Sequence, residues 1–497
     1  MAIRKVCGIE TEYGIAVRGA DSNPVAASSV LINAYIATLD RRTVWDFEDE
    51  SPGIDASGFA VEGALPPEVE THLVNTVLTN GSRYYVDHAH PEYSTPECSD
   101  PLQAVLFDKA GERILARSMD AARRLLPAGQ EIVVYKNNSD GKGNSYGCHE
   151  NYLVDRTIPF AALVRTLVPW FVTRQLFTGS GKIGAENGAE KVDFQISQRA
   201  DFFEEEVGLE TTLKRPIVNT RDEPHADPQK YRRLHVIVGD ANLCEVATFL
   251  KCGATAIVLA MVEDGFIDKD LSIANPVPAM RTVSHDPTCR ATVELNEGGR
   301  CTALELQWEF LRLARKYADD TGMESVGGDD VAKRVLDRWE SVLGALERDA
   351  AALDGQLDWV TKYNLLRAYV DRDDLEWDDP KLAALDIQYH DVRPDRSLYE
   401  RLVRAGKVER LVEEPAVQQA MTSPPETTRA YFRGTCLSRW ADSVVAANWD
   451  SLVLDVGTDP LRRIPMMEPV RGSKVHVEQL FAEVSTPRQL VERLTAS

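Results

Sequence analysis

The sequence predicts an α+β protein with a large domain over residues 1–425 and a small C-terminal domain over residues 426–497. Short segments of strand-forming residues, such as Arg83–Val86, are typical of β-structure. Longer segments with apolar residues at helical spacing, such as Pro101–Leu125, predict amphipathic helices packed on a sheet. The pair Pro424-Pro425 interrupts regular structure and predicts the domain boundary.

The composition excludes several classes of protein. A hydrophobic content of 43% is sufficient for a sizeable core, and 56 basic against 78 acidic residues give a net charge of −22. Such a charge does not suit a nucleic-acid surface, which needs a basic field. The eight cysteines include no Cys-x-x-Cys pair, which argues against a structural zinc site and against a secreted disulfide framework. The sequence has no apolar run of signal-peptide or membrane-spanning length, so we expect a cytoplasmic protein without a membrane partner. We also expect a monomer and, from the net charge, no nucleic-acid partner.

The first predicted strand, within residues 3–15, carries two glutamates on one face. Glu10 and Glu12 lie two positions apart, so their side chains point the same way along a strand. Two neighbouring carboxylates repel each other, and a bound cation relieves the repulsion. Oxygen ligands of this kind suit Mg²⁺, particularly where substrate phosphates complete the coordination. On this motif alone, an exposed edge strand with solvated glutamates is the alternative.

The stretch from Arg83 to Glu97 has an unusual density of acid–base side chains. Arg83, Tyr85 and Asp87 share one strand face, while the neighbours between them are apolar enough to be buried. Within the next ten residues the chain adds further ligand-type side chains, namely His88, His90, Glu92 and Glu97. Burying such groups is costly unless something binds to them. This stretch therefore favours a metal site that includes Glu10 and Glu12.

Residues 43–80, here called the acidic segment, contain no lysine or arginine. Prolines and glycines interrupt any regular element, and a long loop is usually functional or disordered. A tolerated insertion without a function is the alternative. The acidic residues of the segment are Asp46, Glu48, Asp49, Glu50, Asp55, Glu62, Glu68 and Glu70.

Four later segments add candidate histidines and arginines. His149 lies on a predicted strand over residues 145–153, and His235 lies among the aliphatic residues of another over residues 232–242. A neutral imidazole can ligate a metal, although a structural histidine is an alternative at both positions. Arg199 and Arg221 carry planar guanidinium groups suited to phosphate oxygens, with solvated surface arginines as the alternative.

Two motifs carry a resemblance to a known family. Gly-Ile-Glu-Thr-Glu-Tyr-Gly at residues 8–14 and Tyr-Val-Asp-His-Ala-His-Pro-Glu-Tyr at residues 85–93 resemble the Pup ligase/depupylase family. This family is related to glutamine synthetase and γ-glutamylcysteine ligase, and the resemblance runs the length of the chain. It implies a glutamine synthetase-like domain with a curved, mainly antiparallel sheet packed by helices, followed by a small C-terminal domain.

The resemblance also implies a set of site residues. Asp87 would act in catalysis, either as a nucleophile or as a general base, and the sequence leaves both roles open. Mg²⁺ would be held by Glu10, Glu12, Tyr85, Glu92, His149 and His235. ATP or ADP, with phosphate, would be bound by Arg83, Thr95, Arg199, Arg221 and Trp449. Arg429 and Arg433 are weaker candidates for contacts to the nucleotide or to Pup.

The residues of the second motif resemble those of the branch of the family that hydrolyses Pup amides. Ligases typically read Leu-Asp-Val-Gly-x-His-Pro-Glu-Tyr, whereas residues 86–93 read Val-Asp-His-Ala-His-Pro-Glu-Tyr, and the acidic segment is also typical of the hydrolytic branch. The implied activity is deamidation of the C-terminal glutamine of Pup and cleavage of the isopeptide bond between Pup and substrate lysines. The alternatives are an ATP-dependent Pup–protein ligase and a catalytically silent Pup-binding module. Pup and pupylated proteins are the expected partners.

Overall fold

The computed structural model describes residues 1–21, 23–39, 42–48, 50, 53–56, 74–212 and 214–496. The central part of the acidic segment, residues 57–73, lies outside the described residues, as does Asp49. The predicted role of Glu62, Glu68 and Glu70 therefore has no structural counterpart.

Ten of the described strands form one curled sheet in the order β13-β8-β1-β6-β5-β4-β3-β16-β17-β18. Every neighbouring pair in it is antiparallel except β3 and β16, which run parallel. This arrangement confirms the predicted α+β fold with a curved, mainly antiparallel sheet. The strands of this sheet are β1 Cys7–Glu12, β3 Thr43–Trp45, β4 Asn75–Val77, β5 Arg83–Asp87, β6 His90–Ser94, β8 Cys148–Asp155, β13 Tyr231–Val236, β16 Val444–Ala447, β17 Ser451–Leu454 and β18 Arg462–Pro465.

The remaining described strands form two-stranded pairs around this sheet. Strands β11 and β12 run parallel, and the other three pairs are antiparallel. These strands are β2 Gly14–Arg18 with β7 Glu131–Tyr135, β9 Lys182–Ile183 with β10 Phe194–Gln195, β11 Phe203–Gly208 with β12 Arg215–Asn219, and β14 Thr292–Glu294 with β15 Arg300–Thr302.

Helices surround the sheet and supply most of the apolar core. The described α-helices are α1 Pro24–Ile36, α2 Pro101–Arg123, α3 Phe160–Thr178, α4 Glu245–Glu263, α5 Pro276–Ser284, α6 Ala303–Thr321, α7 Asp329–Arg348, α8 Asp358–Asp373, α9 Pro380–Tyr389, α10 Leu398–Arg404, α11 Glu414–Ala420, α12 Ala430–Arg439, α13 Lys474–Glu483 and α14 Pro487–Ala496. By length and composition α4 could span a membrane, but nearly all of its residues are buried inside the protein. Its apolar character is that of a core helix.

The register of the central strands determines which side chains meet. In β1, Glu10 lies opposite His149 of β8, and Glu12 lies opposite Glu92 of β6. Glu92 in turn lies opposite Tyr85 of β5. Because directly opposed residues in antiparallel strands point to the same face, these side chains converge on one side of the sheet.

The ends of the acidic segment are more ordered than the sequence predicts. Its first residues form β3 and its last residues form β4, so the expectation of a loop without secondary structure is wrong at both ends. Polar residues after β3 also pack: Asp46 and Glu48 pair with Arg463, and the Trp45 indole donates to Glu50 Oε1 at 2.6 Å. The acidic side chains at this end of the segment are thus held by a cation from elsewhere in the chain and by a donor within the segment itself.

Residues beyond 425 extend the main sheet and also build a second core. The parallel pairing of β3 with β16 joins β16, β17 and β18 to the large sheet. Trp45 and Val77 pack with Phe432, Leu452 and Phe481 in this second core. The boundary at residues 425 and 426 stays a prediction.

Candidate functional site

A polar cleft lies on the face of the sheet where these strands converge. Its walls come from β1, β4, β5, β6, β8, β12 and β13, together with residues at positions 47, 50, 145–147, 199, 211, 212, 221, 223, 225 and 449. Of the predicted catalytic, metal and nucleotide residues, all except Thr95 and the weaker candidates Arg429 and Arg433 line it. These are Glu10, Glu12, Arg83, Tyr85, Asp87, Glu92, His149, Arg199, Arg221, His235 and Trp449.

Six side chains in the cleft form two groups that could each hold a metal ion. One group is Glu10, His149 and His235, and the other is Glu12, Asp87 and Glu92. Within each group the ligand atoms lie within 4.8 Å of one another. Carboxylate oxygens and imidazole nitrogens are suitable donors for a divalent cation. Asp87, predicted only as the catalytic residue, thus also lies among candidate ligands.

Tyr85, a predicted ligand, makes a hydrogen bond inside the second group. Its hydroxyl donates to Glu92 Oε1 at 2.5 Å, while burial and the charge of Glu92 raise the pKa of the phenol. In the described structure Tyr85 therefore orients a candidate ligand and stays protonated.

Two backbone features bring the acids together. A Cβ atom on Gly147 would lie 2.1 Å from His149 Nε2 and 2.8 Å from Glu12 Oε1, so a larger residue would displace both side chains. The Gly147 N–H donates to Glu12 Oε1 at 3.0 Å. At the turn between β5 and β6, His88 has a φ of 49°, a left-handed conformation uncommon outside glycine. This tight turn places Asp87 at the end of β5, with His88 Nδ1 3.1 Å from its Oδ2.

The second group brings like charges together. Burial, followed by the charges of Asp87, Glu12 and Glu10, raises the pKa of Glu92 well above its usual range. Burial also opposes ionisation of Asp87, but the hydrogen bond and charge of His88 outweigh it and lower its pKa. A bound cation would relieve the repulsion in this group, so its residues fit a divalent metal ion.

The first group is balanced by neighbouring cations. Burial alone would raise the pKa of Glu10, but the hydrogen bond from His149 and the charge of Arg233 oppose this effect, and the pKa is lowered. Burial, with the charges of Arg233 and His149, lowers the pKa of His235 well below its usual range. The ring of His235 is therefore neutral, as a metal ligand requires.

The three predicted phosphate-binding arginines have different environments. Arg83 lies between two aromatic rings, with its Cζ 3.9 Å from the ring centres of both Trp45 and Tyr85. Arg199 is buried and donates to the carbonyl of Ile237 and to Ser145 Oγ, so it is a fixed cation in the wall. Arg221 lines the same cleft, in a segment that pairs with Asp55 of the acidic segment.

A smaller cavity adjoins the cleft beside Trp449. The two share Glu10, His225, Arg233 and Trp449. Thr95 lines this cavity, and its Oγ1 accepts a hydrogen bond from the Ile9 N–H at 3.0 Å. The predicted nucleotide-binding residues are thus divided between two connected spaces, one mainly polar and one beside an indole.

Arg429 and Arg433 are clamped by an acid that the sequence left unassigned. Arg429 Nε lies 2.6 Å from Glu97 Oε1, and Arg433 Nη2 lies 2.5 Å from Glu97 Oε2. Arg433 also donates to the carbonyl of Trp449 at 3.0 Å. These contacts use both guanidinium groups to join α12 to the segment after β6.

Other residues of the cleft and of the adjoining cavity escaped the sequence analysis. Asn151 lies two residues after His149, and Arg233 lies two residues before His235, so each shares a strand face with its histidine. The two-residue period of a strand could have found both. Tyr146, Glu223 and His225 line the cleft from loops, where no such period applies.

Comparison with known proteins gives a consistent set of relatives. A depupylase from Acidothermus cellulolyticus is 54% identical over 505 residues, covering 99% of each chain. A Pup deamidase/depupylase from Mycolicibacterium smegmatis is 48% identical over 99% of this chain and 100% of its own length. A Pup–protein ligase from Xylanimonas cellulosilytica is 40% identical over 96% of this chain and 99% of its own.

Two solved structures share the fold. The ligase PafA in complex with the prokaryotic ubiquitin-like protein Pup has a TM-score of 0.81 and 34% identity, covering 99% of this chain and 95% of its own. The Pup ligase PafA in complex with ADP has a TM-score of 0.75 and 39% identity, covering 82% of this chain and 89% of its own. The family model described as Pup-ligase protein matches residues 5–453. The chain therefore belongs to the Pup-ligase family.

Proposed function

We propose that this protein is a Pup deamidase and depupylase. It hydrolyses the side-chain amide of the C-terminal glutamine of Pup, and the isopeptide bond between Pup and substrate lysines. The observation that carries this proposal is sequence identity over nearly the full length of the chain. The identity is 54% and 48% to two depupylases and 40% to a ligase. Pup as the partner agrees with the names of these relatives and with the Pup complex of a structural neighbour.

A bound nucleotide, ATP or ADP with phosphate, is the proposed cofactor. One structural neighbour is a complex with ADP, and the cleft supplies arginines suited to phosphate oxygens. Arg83, Arg199 and Arg221 would hold the phosphates, and the cavity lined by Thr95 and Trp449 would take the base. The neighbouring indole offers an aromatic ring against which a nucleobase can stack.

Magnesium is the proposed metal, held by the acids and histidines of the two groups described above other than Asp87, which stays free to react. When bound, the ions would offset negative charge on the phosphates and on the reacting carbonyl oxygen. The repulsion that raises the pKa of Glu92 supports a cation in the second group. Tyr85 would act by holding Glu92 in place.

Asp87 is the proposed catalytic residue. His88 and the surrounding cations lower its pKa, so its carboxylate is ionised near neutral pH. As a nucleophile, it would attack the carboxamide carbon and expel ammonia or the lysine amine, and water would then open the acyl-aspartyl intermediate. As a general base, it would instead take a proton from the attacking water. The geometry is compatible with both routes.

The ligase direction is the second candidate, because both solved neighbours with the shared fold are Pup ligases. In that direction a phosphorylated γ-carboxylate of Pup would be attacked by a lysine amine. The motif at residues 86–93 and the higher identity to depupylases favour hydrolysis. A silent binding module is disfavoured because Glu10 and Asp87 are both present in the cleft.

One assay separates these candidates. Purified full-length protein is mixed with Mg²⁺, ATP or ADP, and Pup ending in glutamine, and the release of ammonia is measured. A depupylase releases ammonia with either nucleotide, and excess chelator stops the reaction. ATP consumption with Pup ending in glutamate and a lysine donor, without ammonia release from the glutamine form, would identify a ligase instead.

We also propose that the protein is a cytoplasmic monomer that binds neither nucleic acid nor membranes. Its net charge of −22 supports the first of these exclusions. Free thiols at all eight cysteines agree with a reducing compartment. Light scattering coupled to gel filtration tests the monomer, and cell fractionation tests the location.

A further inference from the structure

One amide side chain lies between two candidate metal ligands. Asn151 Nδ2 is 2.8 Å from Glu10 Oε1, and Asn151 Oδ1 is 3.0 Å from His235 Nδ1. Arg233 Nη1 also lies 2.7 Å from the same Oδ1. The contacts follow from the sheet, because Asn151 of β8 lies directly opposite His235 of β13.

The chemistry of its neighbours determines the orientation of this amide. An ionised carboxylate only accepts hydrogen bonds, so Glu10 must face the NH₂ end of Asn151. A guanidinium only donates, so Arg233 must face the oxygen end. Both requirements select the same orientation, and neither depends on a distinction between the nitrogen and oxygen atoms by shape.

This orientation in turn determines where His235 carries its proton. Asn151 Oδ1 cannot donate, so the hydrogen bond at 3.0 Å requires a proton on His235 Nδ1. In the opposite tautomer, Arg233 Nη1 would donate to Nδ1 across 3.3 Å. In that tautomer, the lone pair on His235 Nδ1 would face a lone pair on Asn151 Oδ1 across the shorter contact of 3.0 Å. The Nδ1–H tautomer avoids this repulsion and leaves the lone pair on Nε2.

We propose that Asn151 is a positioning residue that holds His235 as the Nδ1–H tautomer and at the same time orients Glu10. His235 Nε2 then serves as the ligand atom of the group formed with Glu10 and His149. Histidine ligands commonly donate their second ring N–H to a neighbouring acceptor, which fixes the orientation of the ring. Here a single amide couples two ligands. The inference rests on the magnesium site of the proposed function.

The tautomer is measurable without metal, nucleotide or Pup. We would record ring ¹⁵N spectra of the full-length, metal-free protein labelled at its nine histidines, with the His235 signals identified by their loss in His235→Gln. The wild type is expected to show a protonated Nδ1 at His235. Asn151→Asp keeps an acceptor for the ring and is expected to keep this tautomer. Asn151→Leu removes the acceptor and is expected to shift the population toward Nε2–H.

Two spectroscopic results would overturn the proposal. One is a wild-type His235 protonated at Nε2, and the other is an unchanged Nδ1–H tautomer in Asn151→Leu. A merely structural role for Asn151 does not predict a tautomer that depends on a hydrogen-bond acceptor. The comparison of Asn151→Asp with Asn151→Leu therefore isolates the acceptor from the loss of packing.

Metal binding provides a second measurement. Calorimetric titration with Mn²⁺ alone is expected to show about 10- to 100-fold weaker binding for Asn151→Leu, the usual cost of losing a partner of a metal ligand. Asn80→Leu is the matched control, since Asn80 is buried and bonded to Tyr93 and Ala420. It should lower stability but keep the wild-type Mn²⁺ affinity. Equal affinities in both variants would overturn the proposal.

These results are separable from the proposed function. If the wild type fails to cleave Pup amides while the tautomer and the Mn²⁺ affinity behave as expected, the proposed activity fails and the role of Asn151 stands. If amide cleavage is observed and Asn151→Leu changes neither the tautomer nor the affinity, the role of Asn151 fails and the activity stands.

Discussion

Two glutamates only five residues apart, one buried and one partly buried, meet opposite electrostatic environments. The buried Glu92 lies among Asp87, Glu12 and Glu10, and burial with these like charges raises its pKa. Glu97 is partly buried, but the charges of Arg433 and Arg429 outweigh the cost of desolvation and lower its pKa to about 2. We call Glu92 with its neighbouring acids the cleft cluster, and we call Glu97 with its two arginines the clamp. Both withdraw carboxylates from water, and they differ in what compensates the charge.

The difference explains why one site is suited to binding and the other to stability. In the clamp, one carboxylate meets two guanidinium groups at 2.5 and 2.6 Å, so its charge is balanced within the chain. In the cleft cluster, the acids repel one another, and a ligand with positive charge would lower the free energy of the folded protein. Substitutions at the two sites should therefore have opposite effects on stability.

The largest expected effect is on catalysis in the cleft cluster. Asp87→Asn keeps the shape of the side chain and removes the carboxylate that attacks or accepts a proton. We expect the rate of ammonia release from Pup ending in glutamine to fall by about 100- to 10,000-fold. Nucleotide binding, measured by calorimetry, serves as the control and should remain close to that of the wild type. Turnover within a few-fold of the wild type would reject the assigned role.

The second-largest expected effect is a loss of stability when the clamp is broken. Glu97→Ala leaves Arg429 and Arg433, which are 3% and 0% exposed, buried without their carboxylate partner. Removal of one member of a buried ion pair costs about 3–5 kcal/mol. We expect the free energy of unfolding, measured by urea denaturation, to decrease by this amount. A loss below about 1 kcal/mol, as for exposed pairs, would show that water or another acid replaces the carboxylate.

A pH series sharpens the same comparison. The folded-state pKa of Glu97, about 2, lies below its ordinary value of 4.5. A carboxylate with a depressed pKa stabilises the folded protein at pH values above its unfolded-state pKa, and this stabilisation is lost as the pH falls toward 2. The stability difference between the wild type and Glu97→Gln should therefore be about 3 kcal/mol at pH 7 and should be smaller at pH 4. A constant difference across this range would contradict the assignment.

The smallest effect has the opposite sign and is expected in the cleft cluster. Glu92→Gln keeps an acceptor for the Tyr85 hydroxyl and removes one of the like charges. We expect the metal-free variant, in chelator at pH 8, to be more stable than the wild type, because burial and the charges of Asp87, Glu12 and Glu10 oppose ionisation of Glu92 in the folded protein. Added Mg²⁺ should then stabilise the variant less than the wild type, because ligand binding to the folded state raises stability. Thermal unfolding with and without Mg²⁺ measures both, and destabilisation of the metal-free variant would disprove the repulsion.

The sequence alone predicted the face on which most site residues lie. The strand period placed Glu10 beside Glu12, and Arg83 beside Tyr85 and Asp87, and all five line the cleft. The motifs at residues 8–14 and 85–93 also identified the family, which the full-length comparisons confirm. Local alternation and local motifs were sufficient here, because each depends on residues close together in the chain.

Only the tertiary structure decided how these strands combine. The register of β1 against β6 and β8, together with the pairing of β5 with β6, places Asp87 in a group with Glu12 and Glu92, separate from Glu10, His149 and His235. No local pattern contains this information, because strand pairing is a contact between distant parts of the chain.

The same reason explains the corrections. The clamp joins residue 97 to residues 429 and 433, and β3, inside a segment predicted to be loop, is stabilised by its pairing with β16. The sequence by itself determined the local faces, the charge balance and the family. The folded chain decided which charges meet and which of them compensate one another, because the energy of a buried charge depends on neighbours that sequence distance does not reveal.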